Sequence, residues 1–148
     1  MKISTKGRYA LAAAIHMARY YRCGEYITVS SIAENLGISK IYLEQVFSML
    51  KQAGIIFSVK GAQGGYQLAR APVQITALDI LACVELSLFK NTQETVAQRA
   101  PDIEKALRAS AFDLLDQVVR GTLSEITLAD LATEVEKNES EHTIMFYI

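Results

Sequence analysis

The chain has 148 residues, half of them hydrophobic, which suits one domain or a small domain with an appendage. Its apolar runs are too short to span a bilayer and its first residues lack a signal-peptide segment, so we expect a cytoplasmic protein. Two cysteines, Cys23 and Cys83, lie far apart in sequence. This spacing argues against a disulfide framework and against a cysteine metal site supplied by this chain alone.

The net charge of −1 conceals a strong asymmetry along the chain. Residues 1–70 carry nine basic and three acidic side chains, whereas residues 71–148 carry six basic and thirteen acidic ones. A basic half joined to an acidic half indicates two tasks, with the first half facing a polyanion and the second facing protein.

The first half contains three predicted helices. Apolar spacing predicts a helix over residues 4–22, a short helix over 29–36 and a longer helix over 40–53. Gly37 suits the end of the second helix and Ser39 the N-cap of the third. Two helices joined by a short turn with glycine are typical of a helix-turn-helix, and either Ile41 or Tyr42 completes the inner stripe of its second helix.

The stretch "SVKGAQGGY" (58–66) follows this motif and resembles a phosphate-binding loop. It lacks the Gly-Lys-Ser/Thr ending of a nucleotide-binding loop, and alternating residues predict strands at Ile55–Lys60 and Tyr66–Ala69 on either side of it. A two-stranded hairpin directly after a helix-turn-helix is the wing of a winged helix. The phosphates expected here are therefore those of duplex DNA.

The second half is predicted to be helical. Thr76 and Asp79 match a capping pattern at the start of a short helix, residues 87–98 form a loop, and a long helix runs from Pro101 to Arg120 with Gly121 as its stop. The apolar stripe of the long helix suits either a dimer interface or burial within its own chain. Thr127 begins a last helix, followed by a polar and flexible tail.

Enzyme chemistry has little support in the sequence. No Gly-x-Ser-x-Gly occurs, and His16 and His142 have no patterned nucleophile or carboxylate pair nearby. Cys83 falls among apolar residues of a predicted helix and is expected to be inert. We therefore expect neither catalytic residues nor a metal site.

Three segments together resemble the Rrf2 family of bacterial transcription regulators: "MKISTKGRYAL", "YLEQVFSMLKQAGII" and "SVKGAQGGYQL". The resemblance covers roughly residues 1–135. It implies a mainly α protein in which a winged helix-turn-helix domain (1–75) precedes a helical dimerisation region (76–136). The polar stretch after the last predicted helix adds a flexible C-terminal tail (137–148). The resemblance also implies a homodimer that binds double-stranded DNA.

Many members of that family bind an iron–sulfur cluster through three cysteines after the wing. The segment from Glu85 to Asp116 contains no cysteine. Thiolates are what such clusters require, so we expect no cofactor.

The "KISTKGRY" start and the closing "MFYI" resemble the CymR-type subgroup of cysteine-metabolism repressors. This narrower resemblance implies cysteine synthase as a partner, with the chain end of Phe146, Tyr147 and Ile148 offering a carboxylate to the synthase active site. A tail that folds back onto the dimer is the alternative. A regulator that senses another redox or small-molecule signal, and a protein-interaction module without DNA, are the rival functions.

The expected mechanism is binding of a palindromic operator. Glu44 and Gln45 are the candidate base readers, although Glu44 could equally pair with Lys40 or Lys51. The full set of candidate DNA-binding residues is Lys6, Arg8, Tyr9, Ser39, Lys40, Tyr42, Glu44, Gln45, Ser48, Lys51, Lys60, Gly61, Gly64, Gly65 and Tyr66. The candidate dimerisation residues are Ile103, Leu107, Ala111, Leu114, Leu115 and Val118.

Overall fold

A computed structural model describes residues 2–62 and 64–147, without the side chains of residues 146 and 147. The described part is mainly helical with one two-stranded antiparallel sheet. The elements, in chain order, are α1 (Thr5–Arg19), α2 (Val29–Leu36), α3 (Lys40–Gln52), β1 (Ile56–Val59), β2 (Gly65–Leu68), α4 (Ala77–Val84), α5 (Pro101–Leu107), a π-helical turn (Arg108–Phe112), α6 (Asp113–Glu125) and α7 (Leu128–Tyr147).

The helix-turn-helix forms where the sequence predicts it. Thr28 and Ser39 cap α2 and α3, since each side-chain oxygen accepts a backbone N–H of the first turn. Gly37 ends α2 in the left-handed conformation, with φ of 66°, which a residue with a Cβ rarely adopts. The two helices and their turn are therefore specified by local capping chemistry.

The wing is tied to the helix-turn-helix by one additional backbone pair. β1 and β2 pair with Val59 opposite Gly65 and Ile56 opposite Leu68. Tyr66 of β2 also exchanges two backbone hydrogen bonds, of 3.0 and 2.8 Å, with Ile27 just before α2. A Cβ at Gly65 would lie 2.8 Å from the Ile27 carbonyl oxygen, so this close approach requires glycine.

One hydrophobic core unites α1, α2, α3, the wing and α4. Phe47, Leu43 and Leu50 of α3 are fully buried in it, as is Ile80 of α4. Leu128, the first residue of α7, is also fully buried in the same cluster. The core therefore draws on residues from both sides of position 75, and the division into regions at residues 75 and 136 stays a prediction.

The long helix differs from its prediction. It runs through α5, the π-helical turn and α6 to Glu125, and Gly121 lies inside it rather than at its end. Gly121 does not end the helix, because its backbone keeps a right-handed conformation. The helix ends instead where Ile126 becomes extended and its carbonyl oxygen accepts the Ala77 N–H at 2.8 Å.

The last helix is also longer than predicted. Thr127 and Asp130 exchange hydrogen bonds in a reciprocal cap, as predicted, but α7 then continues to Tyr147 where the sequence predicted a flexible tail. No glycine or proline interrupts residues 128–147, so nothing local stops the helix. An ion pair of 2.6 Å from Arg19 to Glu139 connects its second half to α1.

Candidate nucleic-acid interface

Helix α3 has one buried and one exposed face. Leu43, Val46, Phe47 and Leu50 point into the core. Of the side chains on α3 and its N-cap that were predicted to face DNA, Tyr42 is half-buried and the others are exposed, namely Ser39, Lys40, Glu44, Gln45, Ser48 and Lys51. A single helix face thus combines hydrogen-bonding and basic groups suited to base edges and phosphates.

Ile41 is an apolar residue on this exposed face that the sequence did not single out for DNA binding. Its side chain is 72 % exposed in the first turn of α3, one turn before Glu44 and Gln45. Tyr42, the alternative left open by the sequence, is the residue that packs inward. A large aliphatic side chain in solvent at the start of a helix-turn-helix recognition helix is suited to contact thymine methyl groups.

The first turn of α1 lies beside the first turn of α3. The ring of Tyr9 contacts the ring of Tyr42 edge-on, with 5.3 Å between their centroids. Arg8 is exposed nearby and donates to the Thr5 hydroxyl at 3.1 Å, while Lys6 is half-buried. The aromatic contact joins the start of α1, where Lys6 and Arg8 lie, to the start of α3.

Glu44 pairs only loosely with Lys40. The distance from Lys40 Nζ to Glu44 Oε1 is 4.0 Å, and both side chains are more than half exposed. Such exposed helical pairs contribute little free energy. Glu44 is therefore available to accept a hydrogen bond from a cytosine amino group, and Lys40 is available to a phosphate.

The wing carries Lys60 at an exposed position directly after β1. Gly61 has a φ of 122°, in the region that favours glycine, and its carbonyl oxygen accepts the Gly64 N–H at 3.1 Å. A Cβ at Gly64 would lie 2.2 Å from the Val59 carbonyl oxygen, so the tight turn excludes a side chain there.

Tyr66, one of the predicted DNA-binding residues, packs against the core. Its ring packs edge-on against Phe47 with 4.9 Å between centroids, at the edge of the core. Tyr66 anchors the wing to α3, and its contact with DNA stays a prediction.

A second surface lies on the helices after the wing. Ile103, Leu114, Leu115 and Val118 are each more than half exposed, and Ala111 is exposed between them. Leu107 is half-buried. The residues predicted for dimerisation therefore remain largely in solvent in one protomer, and contiguous apolar surface of this kind marks interaction sites.

The Cys83 thiol is not activated. Burial raises the pKa of the Cys83 thiol to about 11, and Sγ donates to the Ile80 carbonyl oxygen at 3.1 Å. Cys23 is exposed in the short turn after α1. Among the described residues, no group of three or more His, Cys, Asp or Glu side chains is arranged to hold a metal ion.

Comparison with known proteins decides the family. The model of the Rrf2 family, described as an iron-dependent transcriptional regulator, matches residues 3–134. The chain belongs to the Rrf2 family. It is 37 % identical, over the full length of both chains, to the HTH-type transcriptional regulator CymR of Bacillus subtilis (strain 168).

Two solved structures have the same fold. The structure of CymR, the global cysteine regulator of B. subtilis, superposes with a TM-score of 0.72 at 34 % identity, covering 90 % of this chain and 98 % of that one. The structure of T. potens IscR superposes with a TM-score of 0.73 at 34 % identity, covering 93 % of this chain and 90 % of that one. The winged helix fold with a C-terminal helix is thereby confirmed, and this Rrf2 protein is a DNA-binding transcription regulator rather than an enzyme.

The residues of this Rrf2 chain do not fit an iron–sulfur cluster. No cysteine occurs from Glu85 to Asp116. The segment before α5 is held by protein groups instead, because the buried carboxylate of Glu104 accepts the backbone N–H of Val96 at 2.9 Å and of Thr95 at 3.1 Å. Arg108 lies 3.4 Å from the same carboxylate.

No helix in the described ranges is long and apolar enough to cross a bilayer.

Proposed function

We propose that this protein is a repressor that binds a palindromic operator as a homodimer and controls genes of cysteine and sulfur metabolism together with cysteine synthase. The observation that carries the DNA-binding part is the exposed face of α3, placed beside the basic first turn of α1 by the contact between Tyr9 and Tyr42. This arrangement offers base-reading and phosphate-binding groups on one surface.

On this proposal α3 enters the major groove. Ile41, Glu44 and Gln45 read base edges, while Lys6, Arg8 and Lys51 hold phosphates. Lys60 at the wing reaches the flanking minor groove. Related regulators commonly carry arginine there, and lysine keeps the charge but loses the planar guanidinium.

The exposed apolar stripe on α5 and α6 supports the proposed dimer. A two-fold axis that pairs this stripe with its copy covers Leu114, Leu115 and Val118 and presents two α3 helices to two half-sites. The acidic balance of residues 71–148 keeps this half away from the DNA backbone.

The partnership with cysteine synthase rests on the likeness to CymR and on the chain end. Ile144 and Met145 are 58 % and 78 % exposed near the end of α7, so this part of α7 projects into solvent. Phe146, Tyr147 and Ile148, the residues expected to bind the synthase, lie outside the described side chains.

The decisive experiment is selection of bound sequences from random duplex DNA, with and without purified cysteine synthase. Enrichment of one palindrome supports the operator, and a change in affinity on adding synthase supports the partnership. If the full chain enriches a palindrome but ignores synthase, the protein is an Rrf2 regulator of another signal. If no palindrome is enriched, the proposal of a palindromic operator is wrong.

The tail is tested separately with a chain that lacks Ile148. This chain should bind the operator like the full chain but should lose its response to synthase. Ile144→Ala is the matched control, because it removes an exposed apolar side chain of α7 without touching the terminal carboxylate. Equal responses of all three chains would contradict docking through the chain end.

A further inference from the structure

Glu85 is a buried acidic residue with no role in the function proposed above. It follows the last residue of α4, its N–H donates to the Leu81 carbonyl oxygen at 2.7 Å, and only 5 % of the residue is exposed. A buried carboxylate is costly unless it is satisfied by hydrogen bonds. The hydrogen-bond donors to the Glu85 carboxylate therefore indicate its role.

Both hydrogen bonds recorded for this carboxylate come from Ser4. The Oε1 atom of Glu85 accepts the Ser4 backbone N–H at 2.8 Å and the Ser4 hydroxyl at 2.7 Å. Ser4 is the N-cap of α1, and its Oγ in turn accepts the Gly7 N–H at 3.1 Å. Glu85 thus holds the residue that begins α1, and through it the first turn of that helix.

Gly7 makes room for this carboxylate. A Cβ at Gly7 would collide with Glu85 Oε1 and with the Ile3 side chain, so the carboxylate would have to move. The backbone at Gly7 is ordinary right-handed helix, so glycine leaves space for the carboxylate here and is not needed for its conformation. Glycine is a poor helix former, and its presence at position 7 leaves room for the carboxylate of Glu85.

The charges around the start of α1 also indicate a role for the Glu85 carboxylate in that first turn. The first turn of α1 contains Lys6 and Arg8 and no acidic residue. Cations are unfavourable at the positive end of a helix, where an anion is preferred. Glu85 brings that anion from α4, and so offsets a pair of cations that the helix itself does not favour.

We propose that Glu85 is a positioning residue for DNA binding: its carboxylate fixes the first turn of α1 so that Lys6 and Arg8 meet phosphates. This inference rests on the proposed function, because it assumes that the first turn of α1 faces DNA. Glu85 itself touches no DNA. It acts on the backbone through Ser4 and on the pair of cations through its charge.

The test uses the salt dependence of binding by the full chain to its selected operator. A plot of the logarithm of the binding constant against the logarithm of the salt concentration has a negative slope. Each lost phosphate contact reduces the magnitude of this slope by about 1. Glu85→Ala should lower the slope by about 1 to 2, as should the double variant Lys6→Ala with Arg8→Ala. Combining all three substitutions should lower it no further, because they remove the same contacts.

Two other substitutions separate positioning from stability. Gly7→Ala favours the helix but puts a methyl group where the carboxylate lies, so it should lower the slope as Glu85→Ala does. Glu85→Gln keeps an acceptor for the Ser4 N–H and should recover part of the slope. Asp79→Asn is the matched control: Asp79 caps the other end of α4 and contacts Ser4 in no recorded bond, so its loss should lower the unfolding temperature and leave the slope unchanged.

The outcomes are distinguishable. If the wild-type protein shows no salt-dependent binding to DNA, both the proposed function and this inference are wrong. Wild-type binding with an unchanged slope in Glu85→Ala or in Gly7→Ala overturns this inference alone. So does a slope that falls further when Glu85→Ala is added to the two basic substitutions, and so does a failure of Glu85→Gln to recover any slope. If Glu85→Ala does not fold, Gly7→Ala and Glu85→Gln decide the matter.

Discussion

The ring of Tyr9 stands edge-on to the ring of Tyr42 at an interplanar angle of 81°, and this contact joins the first helix of the chain to the helix proposed to read DNA. Edge-to-face pairs contribute about 0.5–1.5 kcal/mol beyond the area they bury. A double-mutant cycle of Tyr9→Ala and Tyr42→Ala, followed by urea unfolding, should therefore give a coupling energy in that range. The pair of His16 and Tyr20 on the same helix is a control, since truncating either member should not couple to Tyr42. Simple additivity of the two tyrosine substitutions would contradict the contact.

Ile41 should read thymine through its methyl group. Burying one methyl-sized group is worth about 0.8 kcal/mol, or about fourfold in affinity. Replacing the contacted thymines of the operator by deoxyuridine should weaken wild-type binding by that factor and leave Ile41→Ala unaffected. Val73→Ala, which truncates an exposed aliphatic residue outside α3, should respond to deoxyuridine like the wild type. Equal sensitivity of the wild type and Ile41→Ala to the base change would rule out this role.

Lys60 should contribute one phosphate contact. Lys60→Ala is expected to weaken binding to all sequences and to reduce the salt slope by about 1. Lys90→Ala, which removes an exposed lysine from the acidic half of the chain, should leave the slope as it is. An unchanged slope in Lys60→Ala would show that the wing does not touch the backbone.

Leu115 should be central to the dimer. Leu115→Glu puts a charge on the exposed apolar stripe and should produce monomers at concentrations where the wild type is a dimer, as measured by sedimentation velocity. Val73→Glu adds the same charge at an equally exposed position off the stripe and should remain dimeric. A wild-type monomer, or a dimeric Leu115→Glu protein, would contradict the proposed interface.

Glu104 should make the free energy of unfolding depend on pH. The N–H of Val96, with further help from the N–H of Thr95 and from Arg108, lowers the pKa of the Glu104 carboxyl. Because the folded pKa is depressed, its stabilisation is present above the unfolded pKa of about 4.3 and is lost as the pH falls through the folded pKa.

The comparison with Glu104→Gln measures this effect. The wild type should be more stable at pH 7, and the difference in unfolding free energy should shrink as the pH is lowered below about 4.3. Glu94→Gln, an exposed substitution in the same segment, should show little difference at any pH. A difference for Glu104→Gln that is independent of pH would mean that the carboxylate is not ionised in the way the contacts indicate.

The starts of helices were predictable because their chemistry is local. Ser39, Thr76 and Thr127 each accept a backbone N–H three residues later, and that spacing is visible in the sequence. The end of the long helix was not predictable, because Gly121 stops a helix only if its backbone turns left-handed. Which conformation it adopts is decided by packing that a sequence does not display.

The functional face was predictable only in part. Helical spacing allowed either Ile41 or Tyr42 to point inward, and Tyr9, which is distant in sequence, settles the choice by packing on Tyr42. The roles of Glu85 and Tyr66 depend on partners 81 and 39 positions away, Ser4 and Ile27 respectively. Long-range hydrogen bonds of this kind leave no periodic signal in the sequence.

The burial of Leu128 restricts how this protein can be dissected. Leu128 fills the core, and its N–H donates to the Ile75 carbonyl oxygen at 2.9 Å, while Thr76 and Thr127 form a bridge beside it. A fragment cut at residue 75 would therefore expose the apolar interior that Ile80 and Leu128 cover, and it would aggregate rather than report on DNA binding. Residues after position 75, which belong to the half proposed to contact protein, complete the hydrophobic core of the half proposed to contact DNA. The two halves therefore cannot be exchanged between relatives as independent domains.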